Sequence, residues 1–205
     1  MKIATLIIAA ICAYLIGGWN PAIEFSKRIY HKDIRTVGSG NAGFTNFKRA
    51  FGSKYAWIVF ALDLTKAAIV VALFSVLYWV QDGSFQLCAA ITGAFAILGH
   101  SFPIWYGFKG GKGFTVYMSV IWFISWIAGL IAFAILAILL LTTRYMSVST
   151  LSAITGSVIY LAVAQAAPPV VILICAAEVV FIIARHHANL VRLFKGTESK
   201  TNIFK

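Results

Sequence analysis

Acidic side chains are scarce in this sequence: six Asp and Glu stand against seventeen Lys and Arg in 205 residues. Charge of either sign is uncommon, at 11% of residues, where a soluble domain carries roughly 25%. This shortage excludes an ordinary soluble domain, and the lack of clustered carboxylates removes the ligands that a hard cation needs. Cysteine is equally sparse. Cys12, Cys88 and Cys175 are widely separated, odd in number and set inside apolar runs, which argues against both a disulfide framework and a thiolate metal cluster. They read as small buried hydrophobes.

What fills the chain is apolar: 61% of residues are hydrophobic and the mean hydropathy is +0.90. Apolar runs fall at about residues 3 to 25, 55 to 80, 84 to 104, 114 to 143, 148 to 166 and 169 to 184. A helix needs about 20 such residues to cross a bilayer, so residues 1 to 205 read as a single integral membrane domain. The first run follows a basic residue as a signal peptide would, yet it continues to about Phe25 without a small-residue cleavage site. It is therefore expected to be a retained first span.

The net charge of +11 has to be read loop by loop, which disfavours a nucleic-acid partner. Lys27, Arg28, Lys32, Arg35, Lys48, Arg49 and Lys54 lie between the first two runs, and Lys109 and Lys112 between the third and fourth. Arg192, Lys195, Lys200 and Lys205 occupy the tail. Lys and Arg in short loops mark the cytoplasmic side, so these three segments are expected inside, with the turns at Asp82 and at Gln165 to Pro169 outside. The 31 residues from Gly113 to Thr143 would make a helix of about 46 Å at 1.5 Å per residue, against a hydrocarbon core of about 30 Å. They are better read as two helices turning near Ser125 to Gly129. The expected architecture is all-α with seven transmembrane helices, the N-terminus outside and the C-terminus cytoplasmic.

Three polar segments then meet at one face. The first, "VGSGNAGFTN", carries Gly38, Gly40 and Gly43 in the spacing G-x-G-x-x-G. A dinucleotide fold would need a preceding strand and an acid about 20 residues on; polar "YHKDIR" and an apolar helix flank it instead. Flexible backbone N–H groups make an anion-binding concavity, and a helix starting near Thr45 adds its positive end. Ser39, Asn41, Thr45 and Asn46 add side-chain donors, and Arg49 follows one turn later.

The second segment, "GHSFPIWYGFKGGKGF", fails the P-loop pattern because Tyr106 and Gly113 stand where that pattern needs Gly and Ser or Thr. Lys109 and Lys112 nonetheless flank Gly110 and Gly111, so two ammonium groups and open backbone can surround a phosphate; lipid headgroup anchoring is the plainer alternative. His100 precedes them at the membrane boundary, where a structural hydrogen bond is its more usual use. The third, "ARHHANLVRLFKGTESK", places His186 and Asn189 three residues apart on one helix face, with no neighbouring acid to complete a metal site. Ser147 opens the next-to-last run, where a helix N-cap is the plain reading. Inside the spans, Asp63 and Lys66 are placed to pair across one turn, whereas Glu178 has no local partner.

Taken together, "GSGNAGFTNFKR", "GHSFPIWYGFKGGKG", "RYMS" and "RHHAN…KGTESK" resemble, in this order and over nearly the whole chain, the bacterial acyl-phosphate:glycerol-3-phosphate acyltransferase family of the PlsY type. The resemblance implies a multi-pass enzyme of the bacterial cytoplasmic (inner) membrane with its active site on the cytoplasmic face. It implies transfer of a fatty acyl group from acyl phosphate to the 1-hydroxyl of glycerol 3-phosphate, giving lysophosphatidic acid and phosphate. No metal, coenzyme A or other cofactor is implied, and the expected partners are the two substrates and membrane lipid around a monomer.

On the matching positions, the resemblance implies a catalytic set of Ser39, Arg49, Lys112, His186 and Asn189. It implies substrate or phosphate binding by Gly38, Gly40, Asn41, Gly43, Thr45, Asn46, His100, Lys109, Gly110, Gly111, Gly113 and Ser147. A covalent role for Ser39 is not expected, because acyl phosphate is already activated and no base is paired with that serine. The sequence departs from the family pattern at "GGWNPA", at "FTVYM" after the second glycine pair, and at "HHAN", where His187 and Ala188 replace an arginine and an acid. The competing reading is a transporter or channel for a phosphorylated organic anion, disfavoured because no internal repeat is visible.

Overall fold

The computed structural model describes residues 1–201; Lys205, assigned above to the cytoplasmic tail, lies outside the described residues. In a bilayer every backbone N–H and C=O must find a partner within the chain, and the apolar runs meet that demand as α-helices. The described residues contain ten: α1 (Lys2–Gly18), α2 (Pro21–Tyr30), α3 (Phe44–Phe51), α4 (Ser53–Trp79) and α5 (Phe85–Ser101). These are followed by α6 (Phe114–Ile124), α7 (Trp126–Thr143), α8 (Met146–Val163), α9 (Pro169–Arg185) and α10 (His187–Phe194). Five stretches are long and apolar enough to cross a membrane, or six if α9 and α10, bent by 58°, count as one.

The helix that carries the run expected to continue to about Phe25 ends at Gly18, although Lys2–Tyr30 taken together remains one apolar stretch. Asn20 accepts a hydrogen bond from Ile23 N at 3.0 Å and starts a new helix at Pro21, an N-cap with proline in the first turn. The long run 114 to 143 breaks inside the expected window: the Ser125 side chain accepts from Ala128 N at 3.3 Å and caps α7. The helix after the first glycine loop is not itself a span. It is the eight-residue α3, separated from α4 by Gly52 at φ 83°, a conformation that favours glycine.

The bundle is densest where small residues let backbones approach. α1 runs along α5, and both pack on α4. A Cβ on Gly99 would overlap the Tyr14 carbonyl of α1, and one on Gly17 would sit 2.5 Å from the Ala96 carbonyl of α5. Close contact of this kind replaces the hydrophobic drive that lipid cannot supply between helices. Gly99→Val is therefore expected to lower the unfolding temperature in detergent, overpacking of this sort costing about 1–3 kcal/mol; an unchanged melting curve would contradict the contact.

α7 packs along α8 and touches α6, which in turn packs on α4 and α5. Between α4 and α7 a gap is left, floored by α6. Inside α4 the expected Asp63 and Lys66 pair forms at 2.7 Å. Glu178 is buried on α9, and neither carboxylate oxygen has a hydrogen-bond partner among the described residues.

Candidate active site

The three glycine-rich or basic segments do converge. They enclose, with the ends of α4, α7 and α8, a cavity of about 450 Å³. Ser39, Asn41, Gly43, Thr45, Asn46, Arg49, His100, Lys112, Gly113, Ser147, His186 and Asn189 all border it. Its polar end is made by these loops, and its apolar end by Trp57 and Phe60 of α4 facing Phe133, Leu136 and Leu140 of α7.

The first loop is wound around Asn46. Its side-chain oxygen accepts from Ser39 N at 2.9 Å, and its amide donates to the carbonyls of Val37, Asn41 and Ile34 at 2.9, 3.1 and 3.3 Å. Asn46 is 2% exposed, so its hydrogen-bonding capacity is spent on the loop, where the resemblance implied a phosphate ligand. Gly38 and Gly40 hold φ of 60° and 70°, and a Cβ on Gly38 would strike the Asn46 side-chain oxygen Oδ1; both shape the loop rather than line the cavity. Arg49, on α3, donates to the carbonyl of Ser199 at 3.1 Å and to the Thr201 hydroxyl at 3.2 Å, tying the tail to α3.

The second segment differs more from its expected use. The N–H groups of Gly110 and Gly111 donate to the carbonyls of Ser101 and His100 at 3.2 and 3.0 Å and are thus unavailable to an anion. Lys109 is exposed and lies outside the cavity lining. Lys112 alone points in, donating to Asn189 Oδ1. Burial, reinforced by the nearby positive charges of Arg192, Arg185 and Arg49 against the opposing Glu198, pushes the Lys112 ammonium down to about 8. Gly113 at φ 90° begins α6. Arg35 joins the two segments: it pairs with Asp33 at 2.7 Å and donates to the Tyr106 carbonyl at 2.6 Å. The Arg35 hydrogen bond, opposed by partial burial, holds the Asp33 carboxyl well below the usual carboxylate range.

In the third segment the helix is bent just where continuity was expected. α9 stops at Arg185 and α10 starts at His187, so His186 and Asn189 reach the cavity from either side of the bend. His186 Nδ1 lies 2.8 Å from the Ile182 carbonyl. A carbonyl only accepts, so Nδ1 carries the proton and Nε2 keeps its lone pair. Ser147 lies in the first turn of α8 beyond its N-cap, Tyr145, and donates to Glu198 Oε1 at 3.2 Å.

Glu198 lies within the stretch "KGTESK", where no role is expected of it, and it borders the cavity. It is 7% exposed and accepts from Asn189 at 2.7 Å through Oε1 and from Arg192 Nε at 2.7 Å through Oε2. Burial raises its carboxyl, but hydrogen bonds from Asn189, Arg192 and Ser147 outweigh that and hold it below the ordinary value. Ser147, Glu198, Asn189, Lys112 and Arg192 therefore form one connected network. The available signal was scarcity: Glu198 is one of only six acids, set in a basic tail. Among the described residues no three His, Cys, Asp or Glu side chains converge as a metal site.

The fold and the site define an all-helical, multi-pass integral membrane protein with a cavity that is cationic at its loop end and apolar between its helices. The glycerol-3-phosphate acyltransferase family profile matches residues 7–196. The glycerol-3-phosphate acyltransferase of Thermoanaerobacter sp. (strain X514) is 39% identical over 199 residues, 95% of this chain and 94% of that protein. The one from Francisella philomiragia is 39% identical over 191 residues, 92% and 89% of the two chains. The crystal structure of PlsY, an integral membrane glycerol 3-phosphate acyltransferase, in its glycerol 3-phosphate form superposes with a TM-score of 0.87. It is 33% identical and covers 98% of this chain and 99% of that one. The protein belongs to the glycerol-3-phosphate acyltransferase family.

Proposed function

We propose that this chain, as one membrane domain acting as a monomer, transfers a fatty acyl group from acyl phosphate to the 1-hydroxyl of glycerol 3-phosphate. The observation that carries this reading is a cavity whose cationic end is continuous with an apolar groove, since the reaction joins a phosphorylated polar substrate to a lipid chain. The relatives give no support to the transporter alternative.

The phosphate of glycerol 3-phosphate lies between Arg49 and Lys112, with its hydroxyls oriented by Glu198, Ser147, Asn189 and the free Nε2 of His186. Acyl phosphate places its phosphate against the loop at Ser39, Asn41 and Thr45 and its chain between Phe60 and Leu136. The 1-hydroxyl oxygen attacks the acyl carbonyl carbon, the bond from that carbon to the phosphate oxygen breaks, and inorganic phosphate leaves. The hydroxyl proton ends on a phosphate oxygen, so no protein nucleophile is required. Catalysis then rests on holding two anions together and stabilising charge on the carbonyl oxygen.

The positive-inside distribution supports seven spans with the cavity mouth, the loops and the tail in the cytoplasm of a bacterial inner membrane. α6, at about 16 Å, is too short to cross alone. Its start at the buried Gly113 supports a segment that begins below the membrane surface, where irregular backbone is tolerated because protein surrounds it.

The decisive measurement is formation of lysophosphatidic acid and phosphate by purified protein given palmitoyl phosphate and glycerol 3-phosphate without coenzyme A. Product no higher than in a Lys112→Ala control overturns the reading. The protonated state of Lys112 makes a second expectation. The ammonium that binds phosphate is present below about pH 8 and lost above it, so kcat/KM, which reports free-enzyme ionisations, is expected to fall as pH rises through about 8. In Lys112→Arg, whose guanidinium stays charged, that limb should vanish; its persistence would assign it to another group.

A further inference from the structure

Behind the polar end of the cavity, three ionisable side chains are sealed from solvent: Asp63 is 1% exposed, Lys66 6% and His100 3%. Asp63 and Lys66 come from α4 and His100 from the end of α5. Lys66 Nζ donates to the Trp19 carbonyl at 2.7 Å, lies 2.7 Å from Asp63 Oδ1, and sits 3.2 Å from His100 Nδ1. An ammonium has protons to give and no lone pair, so Lys66 donates to the Trp19 carbonyl and to His100 Nδ1 and meets Asp63 as an ion pair. His100 Nδ1 is therefore an acceptor, and the ring proton is on Nε2. Asp63 Oδ1, 3.5 Å from Nδ1, balances the Lys66 charge.

The Nε2 edge of the same ring lies against Gly111: a Cβ there would overlap Nε2, Cδ2 and Cε1 of His100. The backbone of His100 accepts the Gly111 N–H at 3.0 Å, and that of Ser101 accepts the Gly110 N–H at 3.2 Å. The ring and carbonyl of His100, together with the Ser101 carbonyl, thus hold the two glycines that deliver Lys112 into the cavity.

Charge inside a membrane is costly and is retained mostly for function; a buried ion pair kept only for stability is often replaceable by apolar side chains at little loss. We propose that Lys66, Asp63 and His100 form a positioning cluster that fixes the Gly110 and Gly111 turn and so aims Lys112 at the substrate phosphate. The cluster also ties that turn to the end of α1 through the Trp19 carbonyl. This inference rests on the role given to Lys112 in the proposed function. Asp63 and His100 border the cavity, but Asp63 pairs with Lys66 beside His100 and His100 holds the turn, so they act through Lys112.

His100→Phe keeps the bulk of the ring and removes the nitrogen that Lys66 grips, whereas His100→Asn restores an acceptor. Full-length protein is assayed with palmitoyl phosphate and glycerol 3-phosphate, each variant alone and combined with Lys112→Arg. His100→Phe is expected to lower kcat/KM by about 10- to 100-fold, the loss typical of a reacting group displaced by about 1 Å. His100→Asn should recover most of it. In the Lys112→Arg background, His100→Phe should add less than about threefold, because the two changes share one path and are not additive.

Wild-type kinetics in His100→Phe, losses that multiply in the Lys112→Arg background, or equal damage in His100→Asn and His100→Phe would each overturn the cluster. If His100→Phe does not fold, Gly111→Ala, which presses on the same ring from the opposite side, is put through the same comparison with Lys112→Arg. Wild-type turnover in the same assay tests the functional reading separately, so failure of the cluster and failure of that reading are distinguished.

Discussion

Lys112→Ala is expected to lower kcat/KM by about 10²- to 10³-fold, the cost seen when one preorganised charge-stabilising donor is lost from an active site. Lys112 is the one lysine that the second segment sends into the cavity, and Lys109, three residues earlier, is turned to solvent. Lys109→Ala should therefore leave activity within about twofold, as expected for a surface change away from the site. Comparable losses in the two variants would mean that the segment binds phosphate diffusely, contradicting a site in which Lys112 alone meets the anion. Lys112→Arg should be only partly active, because a planar guanidinium replaces a compact ammonium where Asn189 Oδ1 receives the proton.

Glu198→Ala is expected to cost about 100-fold in kcat/KM, mostly through a raised KM for glycerol 3-phosphate, with a smaller change in KM for acyl phosphate. The carboxylate holds Asn189, Arg192 and Ser147 at once. Its removal frees an arginine beside the phosphate site and releases the hydroxyl-orienting side chains together. Glu198→Gln keeps an acceptor without the charge and should fall between. Normal KM for glycerol 3-phosphate in Glu198→Ala would place the polyol elsewhere in the cavity. Because Glu198 sits on the tail that Arg49 ties to α3, the variant also tests whether that tail completes the site.

Much of the fold was legible because lipid imposes length and composition on every crossing segment. The break near Ser125 was readable from length alone. The stop at Gly18 was harder: the apolar run carries on past it, and the decisive feature is a local cap by Asn20 that hydropathy does not register. The site was legible as a set of segments and less so as individual roles. Asn46, Gly110 and Gly111 sit where their motifs place them, yet their polar groups are consumed internally. Whether a donor faces a ligand or its own loop depends on backbone direction, which residue type does not reveal. Glu198 is hidden in the sequence because its partners, Ser147 and Arg192, are 51 and 6 residues away.

Hydropathy, charge and motif order are enough to establish that the chain is a membrane-embedded helical protein, that its basic loops share a face, and which family it resembles. They are properties of residue type and spacing, and need no knowledge of how the helices pack. Which side chains of those loops meet, that one lysine of two enters the cavity, and that a single buried acid joins the network became visible only in three dimensions. These outcomes depend on distances between segments far apart in the chain, set by how closely helices such as α1 and α5 pack at Gly17 and Gly99.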